Sequence, residues 1–467
     1  MEERFDAILI GAGQANGPLA RSLAEAGWKV ALVEREHVGG TCINEGCTPS
    51  KTMIASARVA YMAREGANYG VLTAPVSVDL PKVRQRKRDI VDAFRKSGRR
   101  RLEATEGLHL LMGEGRFVDS KSVEVLLSDG SSRHLAADKI FINVGLRPRI
   151  PDISGLDDVH YLTSTTIMEL EEVPEHLLVL GGGYVGVEFG QMFRRFGAAV
   201  TVVQRSDQLL THEDVDIAGE VADILRQDGI RVLLEAEAIW VEEADGQIVL
   251  TVRTTGGERR LAGSHLLLAA GRVPNVEDLD LEAAGIETTE RGYISVNERL
   301  ETNVPGIYAL GDVTGGPAFT HIAYDDFRII RSNLLEHGEG ATQPPATTRG
   351  RLVPYTVFID PQLGGIGLTE RQARRQGKAV RVAKMPMSHV ARALETDEPR
   401  GLMKAVVDGD SDQILGAAIL GAEGGEVMSA LQVAMMGGLP YTALRDAVLA
   451  HPTLAESLNN LFASLED

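Results

Sequence analysis

The 467-residue chain has only two cysteines, too few for a disulfide framework of the secreted kind. No apolar run approaches the ~18 residues a membrane helix needs, which excludes a helical span. Met1-Glu2-Glu3-Arg4 leads almost directly into an apolar strand pattern and leaves no signal peptide, so the chain reads as cytoplasmic. Positive charge is also scarce: 48 Lys and Arg stand against 66 Asp and Glu, a formal net charge of −18. That balance argues against non-specific nucleic-acid binding. The one basic stretch, Lys82 to Arg101, reads as a solvated helix face. What the chain does have is 50 glycines and 44% apolar residues, a globular composition rich in close turns and loops suited to phosphate. At roughly 150 residues per domain, its length predicts about three domains.

Both cysteines fall in one stretch, Gly39-Gly40-Thr41-Cys42-Ile43-Asn44-Glu45-Gly46-Cys47-Thr48-Pro49-Ser50-Lys51, five residues apart. On an ideal α-helix such positions lie roughly 8–9 Å apart at Cα, whereas a disulfide needs less than about 7 Å. If the thiols pair, the helix is distorted between them. Gly46 tolerates unusual dihedrals, and Pro49 cannot donate its backbone bond back to Glu45. The alternative is a reduced, buried and inert pair; the flanking Gly-Gly-Thr and Pro-Ser-Lys argue for a redox pair.

Two strand–glycine–helix patterns frame the rest. Phe5 to Ile10 is apolar and ends in Gly11-Ala12-Gly13-Gln14-Ala15-Asn16-Gly17; a helical pattern follows to Glu25, then Val30-Ala31-Leu32-Val33-Glu34. The glycines let backbone N–H groups approach a pyrophosphate, and Glu34 is placed for ribose hydroxyls. Asn16 stands where the third glycine belongs, which predicts slightly wider helix–strand packing. The second unit meets all three glycine positions: Leu177 to Leu180, then Gly181, Gly183 and Gly186, then Ala199 to Arg205. Two such units imply two dinucleotides, and a redox pair between them implies a flavin plus a nicotinamide.

Between these units, residues 52–105 read as two long helices broken near Gly66, Gly70 and Pro81. Short strands follow from about Leu108 to Phe141, with turns at Gly113–Gly115 and Asp129-Gly130. Gly338 to Gly350 reads as a linker. Val353–Ile359, Lys378–Met385, Leu402–Val407 and Ile414–Leu420 read as strands, and helices begin at Val427 and Tyr441.

Gly-Gly-Thr-Cys-x4-Cys-x-Pro-Ser-Lys resembles the active-site motif of the class I pyridine nucleotide-disulfide oxidoreductases, the family of dihydrolipoamide dehydrogenase, glutathione reductase and mercuric reductase. The resemblance extends over essentially the full length. It takes in Gly271-Arg272-Val273-Pro274-Asn275, Thr302 to Asp312 and His451-Pro452-Thr453-Leu454-Ala455-Glu456, while Phe141 to Pro148 closes the first portion of the chain. It implies an α/β fold with two Rossmann-like dinucleotide-binding domains and a C-terminal α+β dimerisation domain. The expected divisions are an FAD-binding part at 1–149, an NAD(P)-binding domain at 150–272, a central FAD-binding part at 273–345 and an interface domain at 346–467.

By that resemblance, electrons pass from NAD(P)H to FAD and then to a Cys42–Cys47 disulfide. Cys47 faces the flavin as the charge-transfer thiolate, and Cys42 is the interchange thiol. His451, oriented by Glu456, is the acid/base and comes from the other subunit of a homodimer. Lys51 lies near the flavin and pairs with Glu188, and Tyr184 is an aromatic gate over the nicotinamide pocket. The cofactor-contacting set comprises Gly11, Gly13, Glu34, Gly40, Thr41, Lys51, Gly145, Gly181, Gly183, Tyr184, Gly186, Glu188, Gln204, Arg205, Gly271, Arg272, Gly311, Asp312 and His321, with Asp312 on the ribitol hydroxyls. The helix starting at Thr320-His321 turns its positive end toward the anionic edge of a reduced flavin.

Gln204 and Arg205 stand where an acidic residue would favour NADH, so NADPH is expected and NADH stays possible. Thr211 stands where glutathione reductases carry a second arginine. Cys-Thr-Pro-Ser-Lys-Thr-Met and the Phe-Thr-His…Asp-Asp-Phe-Arg run resemble the mercuric reductase branch. The extra C-terminal cysteine pair of that branch is missing from Ser464-Leu465-Glu466-Asp467, and His451 is present where that branch lacks the acid/base. Thiol–disulfide exchange with a small disulfide is therefore the expected reaction. Reduction of a metal ion such as Hg or Cu, or of a quinone, by the same dithiol stays open, as does a redox-sensing flavoprotein. No resident metal is expected. Glu45, inside the active loop, is expected to raise nearby thiol pKa values.

Overall fold

A four-residue apolar strand followed at once by glycine sets the centre of the first unit. The computed structural model describes residues 2–336 and 344–465. The chain divides into two compact units, one of Met1–Thr52, Gln85–Arg149 and Arg272–Arg351, the other of Met53–Arg84, Ile150–Gly271 and Leu352–Asp467. Both are mixed α/β.

The first unit is built on an eight-stranded sheet in the order Glu2–Arg4, Ser132–Ala136, Ser122–Leu127, Leu108–Phe117, Val30–Glu34, Ala7–Ile10, Lys139–Ile142 and Ile307–Ala309. From Leu108–Phe117 to Ile307–Ala309 the pairings are parallel. The central strands are apolar along their length because both faces are covered: Ile8, Leu9 and Leu32 are fully buried. Strand order reverses at Ala7–Ile10, with Val30–Glu34 on one side and Lys139–Ile142 on the other. That reversal opens a crevice at the strand ends, where open α/β sheets place their ligands.

Asn16 begins the Asn16–Glu25 helix and is wholly buried. Its amide donates to the Ile10 carbonyl at 3.1 Å and the Phe141 carbonyl at 3.2 Å. It therefore cross-links two neighbouring strand ends, which is more than the wider spacing expected for a missing glycine. Gly113 and Gly115 are not a turn: both lie inside the Leu108–Phe117 strand. A Cβ at Gly113 would collide with the Leu126 carbonyl of the paired strand, so close backbone approach explains the residue. The Asp129-Gly130 turn is present.

The helices also shift from expectation. The first starts at Cys47 and runs to Glu65, and the second is Leu80–Glu103, with Pro81 in its first turn where no N–H is needed. The basic stretch lies on this second helix, mostly exposed, although Lys87 is buried. Residues 338–343 of the expected linker lie outside the described residues. Its remainder is tied down: the Asn333 side chain bonds both backbone groups of Ala346, and Arg351 pairs with buried Asp326 at 2.6 Å.

The second unit holds three sheets. Arg231–Leu233, Ala199–Val203, His176–Leu180, His265–Leu268 and Tyr161–Leu162 form a parallel sheet in that order, and residues 237–263 form a three-stranded antiparallel one. Tyr355–Val357, Gln362–Gly367, Ile414–Gly421, Leu402–Asp408 and Val380–Pro386 make the third, all antiparallel. The Gln362–Gly367 strand was not legible, since half its residues are glycines pressed against neighbours. The Gly424–Met436 and Tyr441–Arg445 helices were expected; Ser457–Ala463 was not.

Lys404, 2% exposed, joins the third sheet to the loop and helix after the parallel one. Its ammonium contacts Asp214 at 2.9 Å, Asp216 at 3.0 Å and Glu370 at 2.9 Å. Burial lowers its pKa, but those carboxylates outweigh burial and raise it. Lys404→Met should leave the buried Asp214 without its cation and destabilise the chain by about 3–5 kcal/mol. The drop in unfolding midpoint measures this; an unchanged midpoint would show that the pairing is idle.

Candidate active site

Two helices, not one, carry the cysteines. Gly40–Asn44 is a short helix that ends where Glu45 leaves the helical region at φ −140°, ψ 1°, and the next helix begins at Cys47. Gly46 fills the break, where a Cβ would lie 2.9 Å from the Thr41 carbonyl oxygen. The Ser50 hydroxyl closes the new turn by donating to the Gly46 carbonyl at 2.7 Å. The expected distortion thus falls between the cysteines. Both are free thiols here, hydrogen-bonded to one another.

That contact decides their acidity. Cys47 beside it, then burial, pushes the Cys42 thiol far up; Thr320 and Lys51 act in the opposite direction. The Thr320 hydroxyl and Cys47 sulfur share a hydrogen bond at 3.5 Å, and the hydroxyl donates whenever the sulfur is a thiolate. Thr320 opens the twelve-residue helix to Arg331, as expected, and the next ring, His321, stacks on Phe319 at 5.4 Å. Arg272 lies in the same electrostatic neighbourhood. Burial pulls its guanidinium down, and Asp312, Glu45 and Cys47 pull it back up. The Glu45 charge therefore acts on Arg272, and the Cys42 shift is dominated by Cys47 and burial.

Around this pair the first unit has a cradle. Gly11 has φ +86°, and a Cβ there would collide with the Asn143 carbonyl oxygen; a Cβ at Gly40, φ +61°, would lie 2.9 Å from Gly13 Cα. The redox loop, beginning Gly40-Thr41, thus packs directly on the first fingerprint. Glu34 accepts the N–H of Ala12 at 2.8 Å, Glu36 at 2.9 Å and His37 at 3.2 Å. Asn143 donates to the Leu310 carbonyl at 2.7 Å, and Asp326 accepts the Gly311 N–H at 2.8 Å. Burial raises the Asp312 carboxyl, yet that carboxyl accepts no hydrogen bond from the described residues. A half-buried acid with acceptor atoms to spare beside a glycine cradle fits a ligand bearing hydroxyls and a pyrophosphate, as FAD does. Gly145 takes a positive φ shortly after the Lys139–Ile142 strand of this unit, and Gly271 does so shortly after the His265–Leu268 strand of the second unit.

The second unit repeats the cradle. A Cβ at Gly186 would collide with the Gly181 carbonyl, whereas nothing lies near Gly183, so the approach to the helix start is open. Gln204 accepts the Gly182 N–H at 3.0 Å, the counterpart of Glu34 in the first unit. Arg205 is exposed and makes no ion pair among the described residues. Glu188 is buried and accepts the Phe358 N–H at 2.8 Å. Tyr184 donates to Glu213 at 3.3 Å and stacks on Tyr355. His451 Nδ1 donates to both Glu456 oxygens, at 2.9 and 3.0 Å, which leaves Nε2 for proton exchange.

The pyridine nucleotide-disulphide oxidoreductase family matches residues 5–326, and its dimerisation domain matches residues 353–462. The chain belongs to this family. It is 37% identical over 463 residues to the probable pyridine nucleotide-disulfide oxidoreductase RclA of Escherichia coli K12, covering 98% of this chain and 99% of RclA. It is 35% identical over 454 residues to a Staphylococcus aureus mercuric reductase, covering 97% and 81%. To Bacillus subtilis dihydrolipoyl dehydrogenase it is 32% identical over 453 residues, covering 97% and 94%. The solved Cu(II) complex of the HOCl-induced flavoprotein disulfide reductase RclA from E. coli superposes with a TM-score of 0.88, at 37% identity and 99% coverage of both chains. This oxidoreductase family implies FAD and a nicotinamide cofactor, and no helix among the described residues is long and apolar enough to cross a membrane.

Reading the sequence missed several supports of the oxidoreductase site. Asn143 and Asp326 hold the fingerprint and the Gly311-Asp312 turn, and Thr320 reaches Cys47 itself. Asn143 carried a weak signal, as a polar residue ending a buried strand; Asp326 carried none. One outcome checks the pair directly. Under denaturing alkylation, oxidised protein should take up no label and reduced protein should label both cysteines; full labelling before reduction would mean that Cys42 and Cys47 do not pair.

Proposed function

We propose that this chain is an NAD(P)H-dependent flavoprotein reductase that delivers an electron pair through Cys42 and Cys47 to a small disulfide. The observation that carries the reading is the thiol pair across the helix break, with Cys42 held protonated by Cys47. Bound FAD would supply the relay of electrons from the nicotinamide to the disulfide. Gly11, Gly13, Glu34, Gly40 and Asp312 would hold it, with Lys51 contributing positive charge.

The chain's own groups account for the exchange. Cys42 needs a base because its proton is held tightly. We assign that base to His451, acting on Cys42 of the partner subunit in a homodimer and oriented by Glu456. The Cys42 thiolate attacks one sulfur of the acceptor and forms a mixed disulfide; the departing thiolate takes the proton that His451 has received. The Cys47 thiolate, paired with the Thr320 hydroxyl, then attacks the Cys42 sulfur, restores the Cys42–Cys47 disulfide and releases the second product as a thiolate, which takes its proton from solvent. Each cycle oxidises one dithiol and reduces one disulfide.

A second reading is favoured by one observation: a close structural relative was solved as a Cu(II) complex. The same dithiol would reduce two Cu(II) to two Cu(I) as it oxidises to the disulfide. His451→Ala separates the readings. Disulfide turnover should fall about 10²–10⁴-fold while reduction by NADPH stays nearly intact. Copper(II) reduction should depend on both cysteines and little on His451. If disulfide turnover survives the substitution, thiol exchange is the wrong reading and the metal reading replaces it.

NADPH is the proposed donor, because Gln204 is uncharged and Arg205 stands exposed beside it. Gln204→Glu keeps an acceptor for the Gly182 N–H but adds a charge opposed to a 2′-phosphate. The ratio of kcat/KM for NADPH over NADH should fall on the order of tenfold. An unchanged ratio places specificity elsewhere.

A further inference from the structure

One buried acid remains without a role in that scheme. Glu213 is 1% exposed, in the loop between the Ala199–Val203 strand and the Val215–Gln227 helix. A single oxygen, Oε1, accepts two phenols: Tyr355 at 2.7 Å and Tyr184 at 3.3 Å. The two rings stack 5.8 Å apart and 19° from parallel. Burial raises the Glu213 carboxyl, and the same burial, with Glu213 beside them, raises both phenols. Lys404 shares a cavity of about 20 Å³ with Glu213 but is committed to Asp214, Asp216 and Glu370.

The loop is anchored to the second fingerprint itself. Leu210 N–H donates to the Gly182 carbonyl at 2.9 Å, Glu213 N–H donates to the Leu210 carbonyl at 2.8 Å, and Gln204 reaches Gln208 at 3.2 Å. Tyr184, the first residue of its helix, directly follows the open glycine Gly183. Its hydroxyl is thus tethered to the same loop that starts at Arg205. The shorter bond to Tyr355 fixes the acid, and the longer one restrains Tyr184, whose hydroxyl also meets that of Tyr355.

We propose that Glu213, fixed by Tyr355, is a positioning residue that restrains the Tyr184 ring at the nicotinamide site and so sets nicotinamide affinity. The proposal rests on the reading of Tyr184 as the ring beside the nicotinamide. A restrained ring presents a ready-made wall; an unrestrained one must be ordered when the ligand arrives. Glu213 touches no ligand and acts only through the Tyr184 hydroxyl.

The test is a double-mutant cycle on the FAD-loaded full chain. It is read by NADP⁺ affinity in calorimetry and by the limiting rate of reduction at saturating NADPH. Glu213→Gln and Tyr184→Phe should each weaken NADP⁺ about 3- to 10-fold, the size of one modest hydrogen bond; for Glu213→Gln the limiting rate should stay within about twofold. The double variant should be no weaker than either single one. If Glu213→Gln does not fold, Tyr355→Phe removes the anchor while sparing the carboxylate and should behave alike, again without effect in the Tyr184→Phe background. Additive losses would overturn the proposal, because Glu213 would then act independently of Tyr184. Unchanged affinity in these variants, alongside a loss in Tyr184→Ala, would overturn the restraint and leave the nicotinamide reading standing. Unchanged affinity in Tyr184→Ala would overturn both.

Discussion

Two sulfurs five residues apart cannot meet along one continuous helix, and the site depends on the break that lets them. Glu45 leaves the helical region and Gly46 passes close to the Thr41 carbonyl, where a larger residue would be forced against backbone. Two consequences follow at once. Cys42 and Cys47 come within hydrogen-bonding reach, and Cys47 becomes the first residue of a new helix. Unpaired N–H groups at a helix start favour negative charge. The asymmetry of the pair therefore follows from the backbone: Cys47 stands at a helix start, while its neighbour Cys42 is raised by Cys47 and by burial.

A strongly acidic chain still has to build a locally positive site, and it does so with few groups. Lys51, Arg272, the Thr320 hydroxyl and two helix starts gather in the first unit near the thiols. Burial lowers the Arg272 guanidinium, and Asp312, Glu45 and Cys47 partly offset that. Glu45, unexpected in such a loop, is therefore part of the balance that keeps a buried cation in place. The two fingerprints show the same economy. Glu34 and Gln204 make the same bond to the glycine loop before them, at 2.8 and 3.0 Å. Glu34 is a carboxylate that also accepts from Glu36 and His37, whereas Gln204 is neutral and donates to the Gln208 carbonyl.

The parts of this architecture legible in sequence were those with local grammar. Strand, glycines and helix occur in fixed order, so both fingerprints fell where expected, and the helix break was deducible from the spacing of Cys42 and Cys47. The residues left unread act over long sequence distances. Asn143 meets Leu310 and Asp326 meets Arg351 only once the sheet has formed, and neither spacing carries a period. Gly113 read as a turn because glycine marks both turns and close strand approach, and only the neighbouring strand tells them apart. Asn16 read as a defect in a motif, yet its amide ties two strand ends together. Glu213 gave no sign at all, because its two phenols come from a helix start and from a strand of another sheet.

The central claim is that the Cys42–Cys47 pair is an electron store in series with the flavin. Anaerobic titration with a stoichiometric reductant measures it most directly. The account predicts that the oxidised protein takes up one electron pair more per chain than Cys42→Ser, because the disulfide is a two-electron couple. Equal uptake by the two proteins would contradict it.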